Sequence, residues 1–332
     1  MSKDASLSIS EIYAKGKDNL EKSGIRWKTP PDSVLGNHLW ANRSYLDSLF
    51  FEPRFLDPVE PDTSCTIFGV KLKAPIFCSP ISFSKERSMT GTTLVEIARG
   101  VKEAGAMMML GIGGSNDLQR AIDTGAPVVK IVKPYRKTNL IFEKVREAEK
   151  VGCVAVGMDI DHFYGRLAVD KPARTDAFAP QTTDIIKQAI YETNLPFIIK
   201  GVLSVVDATK AAGMGASAVV VSNHGRSAID HSVPSMVALP RIVQSVGDQM
   251  MVLVDTGFKT GNDVLKAMAF GAKAVGFASS LVLAWAADGS DGVHMLIRQI
   301  ASELKRTMAA TGCSDLGQID PSIICPMPPI WK

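Results

Sequence analysis

The residues best placed to do chemistry lie in 219–230, VVVSNHGRSAID, where a β-branched apolar run stops at Ser222, Asn223, His224 and Gly225. A strand that empties into a histidine-bearing loop suits an acid–base catalyst, because imidazole titrates near neutrality and α/β enzymes gather their chemistry at strand ends. A lone histidine there is more often a core residue satisfying backbone partners, but this one has company. Lys200 closes the run FIIK, and a lysine at the end of a buried strand must deliver its charge to something anionic or electron-rich. Asp159 closes CVAVGMD, and a carboxylate there can orient and stabilise a protonated His224. Residues 255–261, DTGFKTG, offer glycine-loop amides and a helix N-terminus to an anion such as a phosphate.

For these residues to meet, several strand ends must open on one face. Eight strand-sized apolar runs recur at 76–81, 106–110, 128–133, 153–159, 197–201, 218–222, 251–257 and 274–279. Between them fall segments of helical period, among them 92–104, 139–150, 182–192, 205–212 and 261–269. Gly105, Gly125, Gly152, Gly215 and Gly271 each precede a small residue and a new apolar run, as a left-handed C′ glycine does at a helix end. Continuous apolar strands alternating with helices predict a parallel sheet covered on both faces. Eight units over about 200 residues favour a closed (β/α)8 TIM barrel over an open sheet. The first run is followed by no GxGxxG. Residues 1–70 are expected to form an N-terminal helical cap, with helices near 9–22 and 34–49, and 71–332 the barrel; 160–180 reads as a long loop over the barrel mouth.

Composition narrows the function classes. At 332 residues, 46% hydrophobic and 21% charged, the chain can bury a full globular core. A net charge of +3, spread among interleaved acids and bases, carries no nucleic-acid footprint. The five cysteines form no CxxC pair and read as reduced thiols in a cytoplasmic setting; no metal site is expected. The charged N-terminal segment is not a secretion signal, and no apolar stretch is long enough to span a bilayer.

The strand-end polar residues, with the segments ANRSYLDSLFFEPRFL, FGVKLKAPIFCSPISF, LPFIIKGVLSVVDA, VVVSNHGRSAID, VDTGFKTGNDVLKAMAFGAKAVGFA and ATGCSDLGQI, resemble the FMN-dependent α-hydroxy-acid oxidases and dehydrogenases. The likeness runs from residue 41 to 318. It implies a barrel with FMN at its mouth, a small carboxylic-acid substrate and a homo-oligomer, tetramers included. Carried residue by residue, it makes His224 the base that takes a proton from a 2-hydroxy acid, Asp159 its carboxylate partner, and Lys200 the cation beside the flavin ring. Arg166 and Arg226 become candidates for the substrate carboxylate. Ser79, Pro80, Ile81, Gly111, Lys130, Ser222, Asp255, Gly257, Lys259, Ala278 and Ser279 fall on cofactor positions.

The sequence also departs from the family pattern. Ser227 stands where a second substrate arginine is usual, with Arg226 one residue early, and register matters for a bidentate fork. Lys130 and Val132 replace a glutamine and a tyrosine, Gly111 a serine, Lys259 an arginine, and Ala278-Ser279 a Gly-Arg pair; the N-terminal substrate tyrosine falls on Lys28 or has no counterpart. Lys130, His162, Tyr164, Arg166 and Arg226 offer the means to rebuild a site for a larger or differently charged acid. Two alternatives stay open from sequence: a flavin-poor barrel acting as a binding or regulatory protein, and an FMN enzyme of altered reaction type.

Overall fold

The structure is a computed structural model describing residues 7–25, 37–56, 59–81, 91–112, 114–163, 177–225, 229 and 231–327. It begins with two helices, α1 (Ile9–Lys22) and α2 (Asn37–Asp47), then a short strand β1 (Leu49–Phe51) and a hairpin of β2 (Cys65–Ile67) and β3 (Val70–Leu72). The repeating units follow: β4 (Ile76–Ile81), α3 (Gly91–Glu103), β5 (Met107–Leu110), α4 (Ser115–Ile122), β6 (Val128–Val132), α5 (Thr138–Lys150), β7 (Ala155–Asp159) and α6 (Thr183–Tyr191). The second half holds β8 (Phe197–Val202), α7 (Val205–Gly213), β9 (Ala218–Val221), α8 (Ser235–Val246), β10 (Met251–Asp255), α9 (Gly261–Ala269), β11 (Val275–Phe277) and α10 (Ser279–Ala310). Strands β4 to β11 close into one barrel in which every neighbouring pair is parallel.

The eight runs read from sequence are these eight strands, and the five punctuating glycines all have positive φ. The boundaries differ where backbone geometry intervenes. The run 251–257 ends as a strand at Asp255 because Thr256 and Gly257 both turn left-handed, at φ +81° and +93°. The run 274–279 shortens to three residues because Ser279 already opens α10. That helix breaks its regular dihedrals at Asp288 and Gly289, just past the apolar residues that open it.

Alternation along the strands divides the core in two. Phe77, Met107, Met109, Val129, Ile131, Ala155, Ile198, Ala218, Val220, Leu253 and Ala274 fill the barrel interior, and the hairpin contributes Ile67 and Leu72 to the same cluster. The intervening strand residues, such as Val128, Val132, Val156, Ile199, Val219 and Val254, face the helices. The hairpin straddles residue 70, and β1 pairs antiparallel with a last strand, β12 (Ile324–Pro326), so the cap and the chain's last described segment are tied together.

Helix α1 docks on α10 through Gly16. A Cβ built at Gly16 would stand 2.0 Å from the Leu283 carbonyl oxygen, so the two backbones touch there. Asn19 adds a hydrogen bond from its Nδ2 to the Ala286 carbonyl at 2.9 Å. Gly16→Ala is therefore expected to push α1 off α10 and to lower stability by about 2 kcal/mol, the usual size of an overpacking penalty. A lower denaturation midpoint together with faster proteolysis at Lys15, Lys17 and Lys22 would register it; unchanged proteolysis at those lysines would contradict the close helix packing.

Candidate active site

The C-terminal ends of the barrel strands carry a buried chain of charges. Asp159 ends β7 directly opposite Lys200 of β8 in the strand register. Lys133, the residue after β6, donates to Asp159 Oδ2, and Lys200 Nζ lies 3.7 Å from Asp159 Oδ1 and 3.3 Å from Asp255 Oδ2. Lys200 also donates to Ser222 Oγ at 3.0 Å, and Ser79 donates to Asp255 Oδ2 at 2.9 Å. Burial by itself would push the Asp159 carboxyl up, but Lys133, His224 and Lys200 outweigh it and hold it well below the ordinary carboxylate range. Burial likewise opposes the Lys200 ammonium, yet Asp255, Asp159 and Asp161 raise its pKa and keep it charged.

His224 sits at the rim of this network in a left-handed conformation, φ +55°, uncommon for a residue with a Cβ. Its amide donates to Ser222 Oγ at 3.0 Å, which fixes the turn. Its Nδ1 is 3.2 Å from Asp161 Oδ1 and 3.6 Å from Asp159 Oδ1, so Asp161 is its hydrogen-bond partner and Asp159 a close charge. Asp159, expected from sequence to orient the imidazole, is instead drawn toward the lysines. Asp159, Asp161 and His224 bring ligand atoms within 4.8 Å of one another, but Lys133 and Lys200 already supply the balancing positive charge. The ring of His162 packs 5.2 Å from that of His224, edge-on to Phe178 at 5.5 Å, with Tyr135 beyond. Burial, reinforced by Lys133 and His224, pushes His162 down to about 4, so it is neutral at pH 7.

The structure thus gathers His224, Asp159, Lys200, Ser222, Asp255 and Ser79 into one network and adds Lys133 and Asp161. It does not bring Lys130 to the mouth. Lys130 shares the helix-facing side of β6 with Val128 and Val132, donates to the Gly111 carbonyl at 2.6 Å, and is pushed down to about 8 by burial and then by Lys144 of α5. Lys130 and Lys133 are an odd number of residues apart, so alternation sends them to opposite faces. Ile81 likewise packs in the outer apolar layer, with half-buried Pro80 beside it at the end of β4. Ala278 and Ser279 form the start of α10. Arg166, Arg226, Tyr164, Ser227 and Lys28 lie outside the described residues.

In the turn after β10, the amides of Lys259 and Thr260 donate to Asp263 Oδ2, and that of Gly261 to Glu303 Oε2 at 2.7 Å. The chain's own carboxylates therefore take the amides of Lys259, Thr260 and Gly261 at the start of α9. Arg43 of α2 grips Asp263 with both terminal nitrogens, at 2.8 and 2.9 Å, and donates to the Gly257 carbonyl at 3.0 Å. Gly257 lies against Asn42 and Leu46 of α2, and the Lys259 side chain is exposed.

Comparison with known proteins agrees with this architecture. A profile of the family described as FMN-dependent dehydrogenase matches residues 35–175 and 166–326. The chain is 31% identical over 313 residues to 4-hydroxymandelate oxidase of Amycolatopsis orientalis, covering 84% of this chain and 87% of that one. It is 28% identical over 323 residues to glycolate oxidase of Spinacia oleracea, covering 86% and 87%. A crystal structure of mandelate oxidase with (S)-2-phenylpropionate superposes with a TM-score of 0.82 at 29% identity, covering 96% of this chain and 97% of that one.

The ion network makes a stability prediction with a definite sign. Asp159, held below its ordinary range, contributes stability that is present above its unfolded value, about 4, and lost as pH falls through the folded one. Lys200, raised, contributes below its unfolded value, about 10.4, and loses that contribution as pH rises through the folded one. Asp159→Ala strands the buried Lys133 ammonium and leaves Lys200 to Asp255 alone, and it is expected to cost about 3–5 kcal/mol at pH 7, with part recovered on adding Lys133→Met. Denaturation midpoints across pH for the wild type and the single and double variants would check both statements.

Proposed function

The chain belongs to the FMN-dependent dehydrogenase family, and from that membership we propose that it oxidises a 2-hydroxy acid to the 2-oxo acid with His224 as the general base. The observation that carries this reading is the imidazole of His224, held at Nδ1 by a carboxylate and standing beside a buried, charged lysine at the barrel mouth. With Nδ1 donating to Asp161, Nε2 carries the free lone pair and can accept a proton. Asp161, held low by His224 against the opposing effect of burial, stays ionised and stabilises the imidazolium that results.

The donor set fits FMN at its ring. Lys200 is buried, charged and set on the inward-facing register of β8, where its ammonium can stabilise negative charge on the ring's N1/O2 edge. When bound, FMN takes the two electrons that leave the carbinol carbon. The substrate thereby loses two electrons and two protons, one proton going to His224 and the other leaving with the electron pair. Ser222 and Asp255 hold Lys200 in place, and Ser79 holds Asp255. The substrate carboxylate is assigned to Arg166 and Arg226 on the family pattern.

A cytoplasmic, homo-oligomeric protein completes the proposal. All five cysteines are free thiols, in keeping with a reducing compartment. Phe50, Phe55 and Leu56 are exposed within seven residues of one another, the sort of apolar surface that a second copy covers.

The test is the visible spectrum of the FMN-loaded protein mixed anaerobically with a panel of 2-hydroxy acids, glycolate and (S)-mandelate included. The wild type is expected to bleach with at least one of them. His224→Gln should retain the flavin but bleach about 10²–10⁴-fold more slowly, the range general base catalysis contributes. Lys200→Ala should hold FMN roughly ten- to a hundred-fold more weakly, the usual effect of removing one charge-assisted hydrogen bond. A His224→Gln protein that bleaches at the wild-type rate would remove His224 from the reaction.

A further inference from the structure

We infer that Asp161, not Asp159, is the positioning residue that sets the tautomer and orientation of His224, and that Lys133 is what releases Asp159 from that task. The inference rests on the reading of His224 as base. Residues two apart on an extended strand share a face, so Asp161 follows Asp159 on the same side of the mouth and one step further out. The hydrogen bond from the Ile160 amide to the Lys200 carbonyl, 2.9 Å, prolongs the β7–β8 pairing far enough to hold it there.

The carboxylate of Asp161 has a built seat. The β8 register shifts between Lys200 and Val202, and Gly201 within that bulge takes φ +98°. A Cβ at Gly201 would lie 2.6 Å from Asp161 Cγ and 2.7 Å from its Oδ1. Only a residue without a side chain leaves the space that Asp161 fills.

The charges are divided accordingly. Asp159 gives Oδ2 to Lys133 and faces Lys200 with Oδ1, an oxygen that makes no hydrogen bond. Among the described residues, Asp161 has His224 as its ion-pair partner within 4 Å. Among the described residues, the groups around the imidazole are thus Asp161 at hydrogen-bonding distance, Asp159 just beyond it, neutral His162 packed on one side, and Lys133 and Lys200 behind Asp159. Two lysines crowd Asp159 at close range; Asp161 acts on Lys200 from farther away and gives its hydrogen bond to the base.

Nitrogen NMR of histidine-labelled, FMN-loaded protein tests this without reference to any substrate. The chain has five histidines, and the signal that disappears in His224→Gln identifies the one of interest. The wild type should show His224 protonated at Nδ1. Asp161→Asn should convert it to a mixture of tautomers and Asp161→Ala should abolish the preference, while Asp159→Asn should leave it in place. With any hydroxy acid that the wild type oxidises, Asp161→Asn should lower kcat/KM roughly ten- to a hundred-fold, mostly through kcat. An unchanged tautomer in both Asp161 variants would overturn the assignment, as would loss of the tautomer in Asp159→Asn alone. If Asp159→Asn does not fold, the two Asp161 variants against wild type decide. Full activity in His224→Gln alongside the expected tautomer shifts would instead sink the base reading and leave the positioning geometry standing.

Discussion

Everything at the mouth of this barrel depends on cancelling charge out of contact with water. Lys133, Asp159, Lys200 and Asp255 are all buried, and each charge would be prohibitive alone. They are tolerable as an alternating chain, ammonium to carboxylate, that runs across the ends of β6, β7, β8 and β10. The chain exists only if those strand ends are level. A slip of one residue in any of them would turn its charged group toward the helices and leave an uncompensated ion behind. The network therefore fixes register as well as electrostatics, and His224 gets its place from it through Ser222, which accepts from both the Lys200 ammonium and the His224 amide.

Around this centre the backbone is held in conformations it would not choose. His224 and Thr256 have positive φ although both carry a Cβ, and each lies in a turn leaving a barrel strand. The turn after β10 is restrained from outside by Arg43, whose fork on Asp263 and hydrogen bond to the Gly257 carbonyl clamp the loop to α2. Tyr13 of α1 reaches the same loop, donating to the Lys259 carbonyl at 2.7 Å. The cap is thus part of what keeps the β10 turn in shape, and the carboxylates at the start of α9 serve that restraint.

The fold is legible in the sequence almost in full. Apolar runs of strand length, helical periodicity between them and glycines at the helix ends are local signals, and each corresponds to the expected element. His224, Asp159 and Lys200 are legible as well, because a polar residue closing an apolar strand is conspicuous whatever surrounds it. Lys130 misleads because both lysines of the third apolar run, 128–133, are conspicuous in that way, and only the phase of the alternation separates them. Asp161 gives no signal. It lies past the end of its strand in what reads as loop, and its seat on Gly201 is contributed by another strand 40 residues away.

By itself the sequence determined the barrel, the order of its parts and which strand ends carry charge, because these follow from patterns a few residues long. Tertiary structure alone decided which charges pair. Lys133 and Lys200 compete for Asp159, and two carboxylates compete for His224; the outcome turns on differences of a few tenths of an ångström set by strand register, a bulge and a missing side chain. Coulomb energy in a buried site is steep on that scale, and no pattern within one segment contains the distances between four of them.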